Sequence, residues 1–163
     1  MSSGYFKASD EVFALMEAIL AEHHDRLVLV SDEIAVVFRE KAGKKGGKGV
    51  LGTPKKAPPL IGVLGDTDYK FVLEIAGDEW LTLTEDQRKA LIDHLLCACQ
   101  VEEDPDSGNV RCFIAPPDVS FYWAELDRHG DWRPRPVDAD ANAGDKTDIE
   151  QLFGRKSSEP AEA

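Results

Sequence analysis

Residues 84–99 constrain the fold of this chain most, because they predict one buried helix. The Thr84 side chain can accept a hydrogen bond from the backbone N–H of Gln87, three residues later. The Gln87 side chain can accept one from the backbone N–H of Thr84, and together they form a capping box. Apolar side chains then recur at helical spacing on two adjacent faces, at Leu91, Ile92, Leu95, Leu96, Ala98 and Cys99. A helix that is apolar on two faces is expected to lie inside the domain.

His94 lies in the apolar half of this helix, where we expect it to be a buried, hydrogen-bonded residue. It also occupies the first position of the His-Glu-x-x-His pattern of zinc peptidases. In that pattern two histidines one turn apart bind a metal ion, and the glutamate activates its water. Here Leu95 stands in place of the glutamate and Ala98 in place of the second histidine. The motif positions are therefore degenerate, and we predict no catalytic residue.

Three segments resemble the putative phage metallopeptidase family, a small zincin-like domain of phages and prophages. They are DEWLTLTEDQRKALIDH, which enters the helix, IAVVFREKAGKKGGKGVLG upstream, and PPDVSFYWAELDRHGDW downstream. In the family the helix continues as His-Glu-Leu-Cys-His-Cys, and a further histidine stands where this chain has Pro117. The resemblance covers about residues 5–134. It implies the family's fold but speaks against its activity.

The implied fold is α+β, a small zincin-like domain in which a short sheet packs on a long central helix between N-terminal and C-terminal flanking helices. A first helix follows Ser9, strands are predicted at residues 34–39, 70–76 and 110–114, and a short last helix is capped by Asp118. Residues 39–56 carry seven basic residues, one acidic residue and five glycines, which predicts a mobile loop. The domain is expected to span residues 1–136, and residues 137–163 to form a disordered acidic tail.

The composition excludes several classes of function. A net charge of −12 argues against general binding of nucleic acid, because phosphates would be repelled. The apolar runs are too short to span a membrane. Three cysteines do not suggest a disulfide framework, so we expect the reducing cytoplasm of a bacterial host.

We expect no cofactor, with zinc as the alternative. A closed structural zinc site could use His94, Cys97 and Cys112, because the first two are three residues apart on the helix. An enzyme with such a rearranged metal site, a peptidase or hydrolase, is the alternative function. His23 and His24 diverge at the end of the first helix, where we expect them to be solvated.

The favoured function is a catalytically inactive scaffold that binds a protein. One candidate surface is the acidic cluster at Glu102, Glu103, Asp104 and Asp106. The other is an apolar island in the tail, at Ile149, Leu152 and Phe153. A basic host or phage protein, such as a nucleic-acid-binding protein or a component of a host defence system, is the expected partner.

Overall fold

The computed structural model describes residues 4–120 and 122–130, and these residues form an α+β structure, as predicted. In chain order the elements are β1 (Tyr5–Lys7), α1 (Asp10–His23), α2 (Asp25–Val28), a 3-10 turn (Ser31–Glu33), β2 (Ile34–Arg39), β3 (Gly43–Lys45), β4 (Lys48–Val50), β5 (Gly52–Lys56), α3 (Pro59–Gly65), β6 (Phe71–Ala76), α4 (Gly77–Trp80), α5 (Glu85–Ala98), β7 (Cys99–Glu103), β8 (Val110–Ile114) and α6 (Trp123–His129). The chain divides into two units, Met1–Asp118 and Val119–Ala163. None of the described helices is long and apolar enough to cross a membrane.

Helix α5 begins at the predicted capping box. The Thr84 N–H donates to Gln87 Oε1 at 3.0 Å, and the Gln87 N–H donates to Thr84 Oγ1 at 3.3 Å. The helix ends at Ala98, one residue earlier than predicted, because Cys99 has an extended backbone and starts β7. Its buried residues are Leu91, Ile92, Leu95 and Leu96.

A four-stranded sheet, in the order β1-β2-β6-β5, provides one wall of the core. Strands β2 and β6 are parallel, while β1 and β5 pair with them in the antiparallel sense. Alternate side chains of the two inner strands are at most 2% exposed, namely Ile34, Val36, Phe71, Leu73 and Ile75. They form one hydrophobic cluster with the buried residues of α1 and α5. This alternation is what the sequence predicts for strands with one buried face.

The first helix and the strands at residues 34–39, 70–76 and 110–114 agree with prediction to within a residue. The buried face of α1 consists of Val12, Met16, Ile19 and Leu20. Ser9 occupies the N-cap position, although its side chain makes no capping hydrogen bond.

Residues 39–56 contradict the predicted mobile loop. Strands β3 and β4 form a hairpin whose turn, Gly46 and Gly47, has φ of 59° and 79°, and positive φ at both positions is what a tight hairpin turn requires. Strand β5 then pairs with β6 along the edge of the sheet. Pro54 lies within β5, and an edge strand tolerates proline because one side of its backbone needs no ladder hydrogen bonds. These strands could not be predicted from the sequence because glycine and lysine, which are abundant here, are uncommon in strands.

Two further features differ from expectation. Helix α3 was not predicted; Leu60, Val63 and Leu64 on it are exposed. Helix α6 has Tyr122 as its N-cap, so the predicted cap at Asp118 is wrong, although the C-terminal helix itself is present. The predicted domain end at residue 136 and the acidic tail lie outside the described residues.

A close contact between α5 and the sheet joins Leu95 to Gly52 of β5. A Cβ atom at Gly52 would lie 2.9 Å from Leu95 Cδ1, and 3.2 Å from the Glu74 carbonyl oxygen. Only glycine therefore lets the helix approach β5 this closely with leucine at position 95.

Replacing Leu95 by alanine should lower the free energy of unfolding by about 2–5 kcal/mol, because the side chain is 0% exposed and its removal leaves a cavity. Leu81→Ala is the matched control, since Leu81 is 78% exposed and should cost less than about 0.5 kcal/mol. Urea denaturation measures both. Equal effects of the two substitutions would contradict the buried position of Leu95.

Gly52→Ala should destabilise the protein by about 1–3 kcal/mol, because the added methyl group overpacks the contact with Leu95. In a Leu95→Ala background the same methyl group meets a cavity, so its cost should fall. A double-mutant cycle should give a coupling energy of about 0.5–3 kcal/mol. Strictly additive effects would show that the two residues do not pack together.

Candidate functional site

The degenerate motif positions lie on and beside the buried face of α5. At 3.6 residues per turn, the buried residues Leu91 to Leu96 span an arc of about 140° around the helix. Leu95 lies inside this arc and is 0% exposed, while Ala98 is half-buried at its edge. His94 falls outside the arc and is exposed, so the expectation of a buried, hydrogen-bonded histidine is wrong.

These positions do not fit a catalytic zinc ion. Such a site needs three protein ligands, an open coordination position and a group that takes a proton from the bound water. Of the three motif positions, only His94 offers a ligand atom. Leu95 packs against Gly52 of β5, so the position that would hold the base is apolar and filled. No hydrolytic step can be derived from this part of α5.

The predicted structural zinc set, His94, Cys97 and Cys112, is not brought together. Among the described residues, the one group of three possible ligands with mutually close atoms includes Cys97 but neither of the other two. Cys112 is buried on β8, where it stands opposite Val101 of β7. His94 is three residues from Cys97 on α5, but its ring is not part of that group.

The group that does assemble consists of His24, Asp93 and Cys97. Their ligand atoms all lie within 4.8 Å of one another. His24 Nε2 and Asp93 Oδ1 are 2.6 Å apart, and Cys97 Sγ is 4.0 Å from the same oxygen. The expectation that His24 is solvated is therefore wrong: its side chain is 13% exposed, compared with 56% for His23.

Two of the three residues in this group could be related to each other from the sequence alone. Asp93 and Cys97 are four residues apart and so share one face of a helix, a spacing that can be found by inspection. His24 lies 69 residues from Asp93, and only the packing of α1 beside α5 brings them together. No local pattern predicts that contact.

The three thiols differ in their surroundings. Burial, with smaller contributions from the neighbouring Cys112 and Cys97, raises the pKa of Cys99 to about 12. Partial desolvation raises the pKa of Cys97, and the carboxylates of Asp93 and Asp118 raise it further. Burial likewise raises the pKa of Cys112. Without a bound cation all three are neutral thiols at pH 7, so none is an activated nucleophile.

The predicted acidic surface is the tip of the β7–β8 hairpin, which we call the acidic tip: Glu102, Glu103, Asp104 and Asp106. All four residues are exposed. Asp104 is engaged within the turn, where hydrogen bonds from the Asp106 N–H at 2.9 Å and the Ser107 hydroxyl at 2.8 Å lower its pKa. Glu102 stands opposite Arg111 on the neighbouring strand. Glu102 and Glu103 point to opposite faces of β7, so the acid forms a projecting tip rather than a flat patch.

Basic side chains gather on the outer face of the sheet, around Glu74. Lys55 Nζ lies 2.6 Å from Glu74 Oε2, and Arg39 Nη1 lies 3.9 Å from Glu74 Oε1. Lys41 and Lys44 line the same shallow depression. The apolar island at Ile149, Leu152 and Phe153 lies outside the described residues.

Comparison with known proteins agrees with the resemblance seen in the sequence. The family model described as "Putative phage metallopeptidase" matches residues 4–145. No match was found among curated proteins or among solved structures. Because the matched region spans most of the chain, this protein belongs to the putative phage metallopeptidase family.

Proposed function

We propose that this protein is a non-catalytic member of its family and acts as a scaffold that binds another protein. One observation carries the proposal: Leu95, at the position of the catalytic acid, is fully buried against Gly52. An ionised carboxylate in that place would lose its hydration without gaining a partner, at a cost of several kcal/mol. The surroundings of position 95 thus accommodate an apolar side chain such as leucine and not a charged one.

More than one substitution separates this position from a working catalytic site. A working site would need an acid at position 95 and a histidine at position 98, together with space for water and substrate. Leu95 and Gly52 already occupy that space with a close contact. Restoring the glutamate alone would therefore destabilise the domain before it restored any chemistry.

The proposed partner surface is the acidic tip, and the proposed partner is a protein with a basic surface. The turn that carries the tip is held by hydrogen bonds, including the Gly108 N–H to the Asp104 carbonyl at 2.8 Å. Carboxylates on an ordered turn bind with little loss of conformational freedom. With a net charge of −12, the chain also attracts basic proteins over a distance. A nucleic-acid-binding protein of the bacterial host, including one that serves host defence, is the proposed class of partner, because such proteins carry basic surfaces.

The purified protein should not cleave an unfolded protein substrate, with or without added zinc. The reason is that Leu95 cannot accept a proton and Ala98 cannot bind a metal ion. Release of soluble peptides from casein is the measurement. Cleavage that a chelator abolishes and that His94→Ala also abolishes would overturn the proposal, since a contaminating protease would not respond to the substitution.

Capture of a basic partner from bacterial lysate should weaken when the acidic tip is neutralised by Glu102→Gln, Glu103→Gln and Asp106→Asn. Each exposed ion pair contributes about 0.2–1 kcal/mol, so three lost pairs should reduce affinity by roughly 3- to 160-fold. Asp104 is left unchanged because its hydrogen bonds hold the turn.

The matched control for the acidic tip is Glu17→Gln, Glu22→Gln and Asp32→Asn, which changes the net charge equally at other exposed positions. This variant should retain capture. Capture by the native chain should also fall as salt rises, because exposed charges are screened beyond about 8 Å at physiological ionic strength. Equal loss in both variants would mean that net charge alone acts, and capture that resists both salt and neutralisation would rule out the acidic tip.

A further inference from the structure

We propose that His24, Asp93 and Cys97 form a metal site that binds one divalent cation of the zinc class, where the end of α1 meets α5. This site does not use the family motif positions at residues 94, 95 and 98. The metal is the same as in the structural zinc site expected from the sequence, but two of the three ligands differ. It also replaces the expectation of a chain without a cofactor.

The positions of the ligand atoms are close to those that zinc requires. In a tetrahedral site with bonds of about 2.0–2.3 Å, neighbouring ligand atoms are about 3.3–3.8 Å apart. Here the separation between His24 Nε2 and Asp93 Oδ1 is 2.6 Å, and that between Asp93 Oδ1 and Cys97 Sγ is 4.0 Å. Metal binding would require the first separation to lengthen and the second to shorten, and the Asp93 side chain, which is 44% exposed, is not fixed by close packing.

The backbone holds the ligands in place before any metal ion arrives. His24 joins α1 to α2, and its N–H donates to the Leu20 carbonyl at 3.0 Å. Its carbonyl accepts from the N–H groups of Leu27 and Val28, at 2.9 and 3.2 Å. Asp93 and Cys97 are one turn apart on α5, between buried leucines and isoleucine that fix the helix against the core. A preorganised site of this kind binds metal with less loss of conformational entropy.

The donor set selects the class of cation. One imidazole nitrogen, one thiolate sulfur and one carboxylate oxygen suit Zn²⁺ and similar first-row ions, whereas Ca²⁺ and Mg²⁺ prefer oxygen alone. Carboxylate and thiolate together balance the two positive charges of the ion. In the metal-bound state Cys97 is a thiolate, because its proton is released to solvent, and His24 is neutral with its proton on Nδ1, so that each ligand atom offers a lone pair. Asp118 lies within electrostatic reach of Cys97 and adds attraction for a cation.

A hydrogen bond between His24 and Asp93 would by itself tie α1 to α5, and this simpler role must be separated from metal binding. The role of Cys97 makes the separation possible. Its sulfur contributes little to a hydrogen bond at 4.0 Å, but it would be an essential ligand of a metal ion. A thiolate bound to Co²⁺ also gives a charge-transfer absorption in the near ultraviolet, which a histidine–aspartate pair cannot give.

The experiment uses the full chain purified without chelator or affinity tag. Elemental analysis should find about one zinc per chain, and titration of the metal-free protein with Co²⁺ should produce the thiolate absorption. The variants His24→Ala, Asp93→Asn and Cys97→Ser should each weaken binding by more than about 100-fold, since even residues outside the first ligand shell contribute 10- to 100-fold. Asp93→Asn keeps a hydrogen-bond acceptor for His24, and Cys97→Ser is a conservative change at an exposed position.

His94→Ala and Cys112→Ser are the matched controls, because they remove ligand types of the same kind outside the proposed site. Both should retain one equivalent of metal and the absorption. The proposal fails if the chain binds no stoichiometric metal, if Cys97→Ser binds as well as the native chain, or if the control variants lose metal equally. Peptide cleavage is not part of the readout, so this result and the test of the proposed function are independent.

Discussion

The apolar arc of α5 can be removed from water only by contact on two sides, and this requirement organises the main unit of the protein. The sheet covers one side through β5, and α1 covers the other through the face that includes Met16 and Leu20. The close contact between Leu95 and Gly52 sets how near the helix lies to β5. The same contact involves position 95, where the sequence pattern of zinc peptidases has its glutamate.

Much of this architecture could be predicted from periodicity. The capping box, the faces of α1 and α5, and strands β2, β6 and β8 follow from spacing that each segment carries within itself. Strand β5 could not be predicted this way, because Gly52, Pro54 and two lysines are poor strand formers, and their pairing is supplied by β6. The helix α3 was missed because its apolar residues lack a buried face to give them a pattern.

The candidate site shows the same division between local and distant information. The burial of Leu95 could be predicted from the sequence, because this residue continues the helical spacing that starts at Leu91. The exposure of His94 could not be predicted from its apolar neighbours in sequence. Consecutive residues of a helix point in different directions, and only those on one arc of α5 are buried. His24 could not be linked to Asp93 without the tertiary packing of α1 on α5, since the partners are 69 residues apart.

The composition of β5 has a further consequence for how the molecule behaves beside copies of itself. An edge strand with unpaired backbone groups is a template on which another chain can add a strand. Pro54 removes one backbone donor from this edge, and Lys55 and Lys56 place positive charge along it. A second molecule approaching with the same strand would meet like charge and an interrupted hydrogen-bond ladder. The residues that make β5 difficult to predict from the sequence thus also disfavour the addition of further strands, and hence aggregation, at that edge.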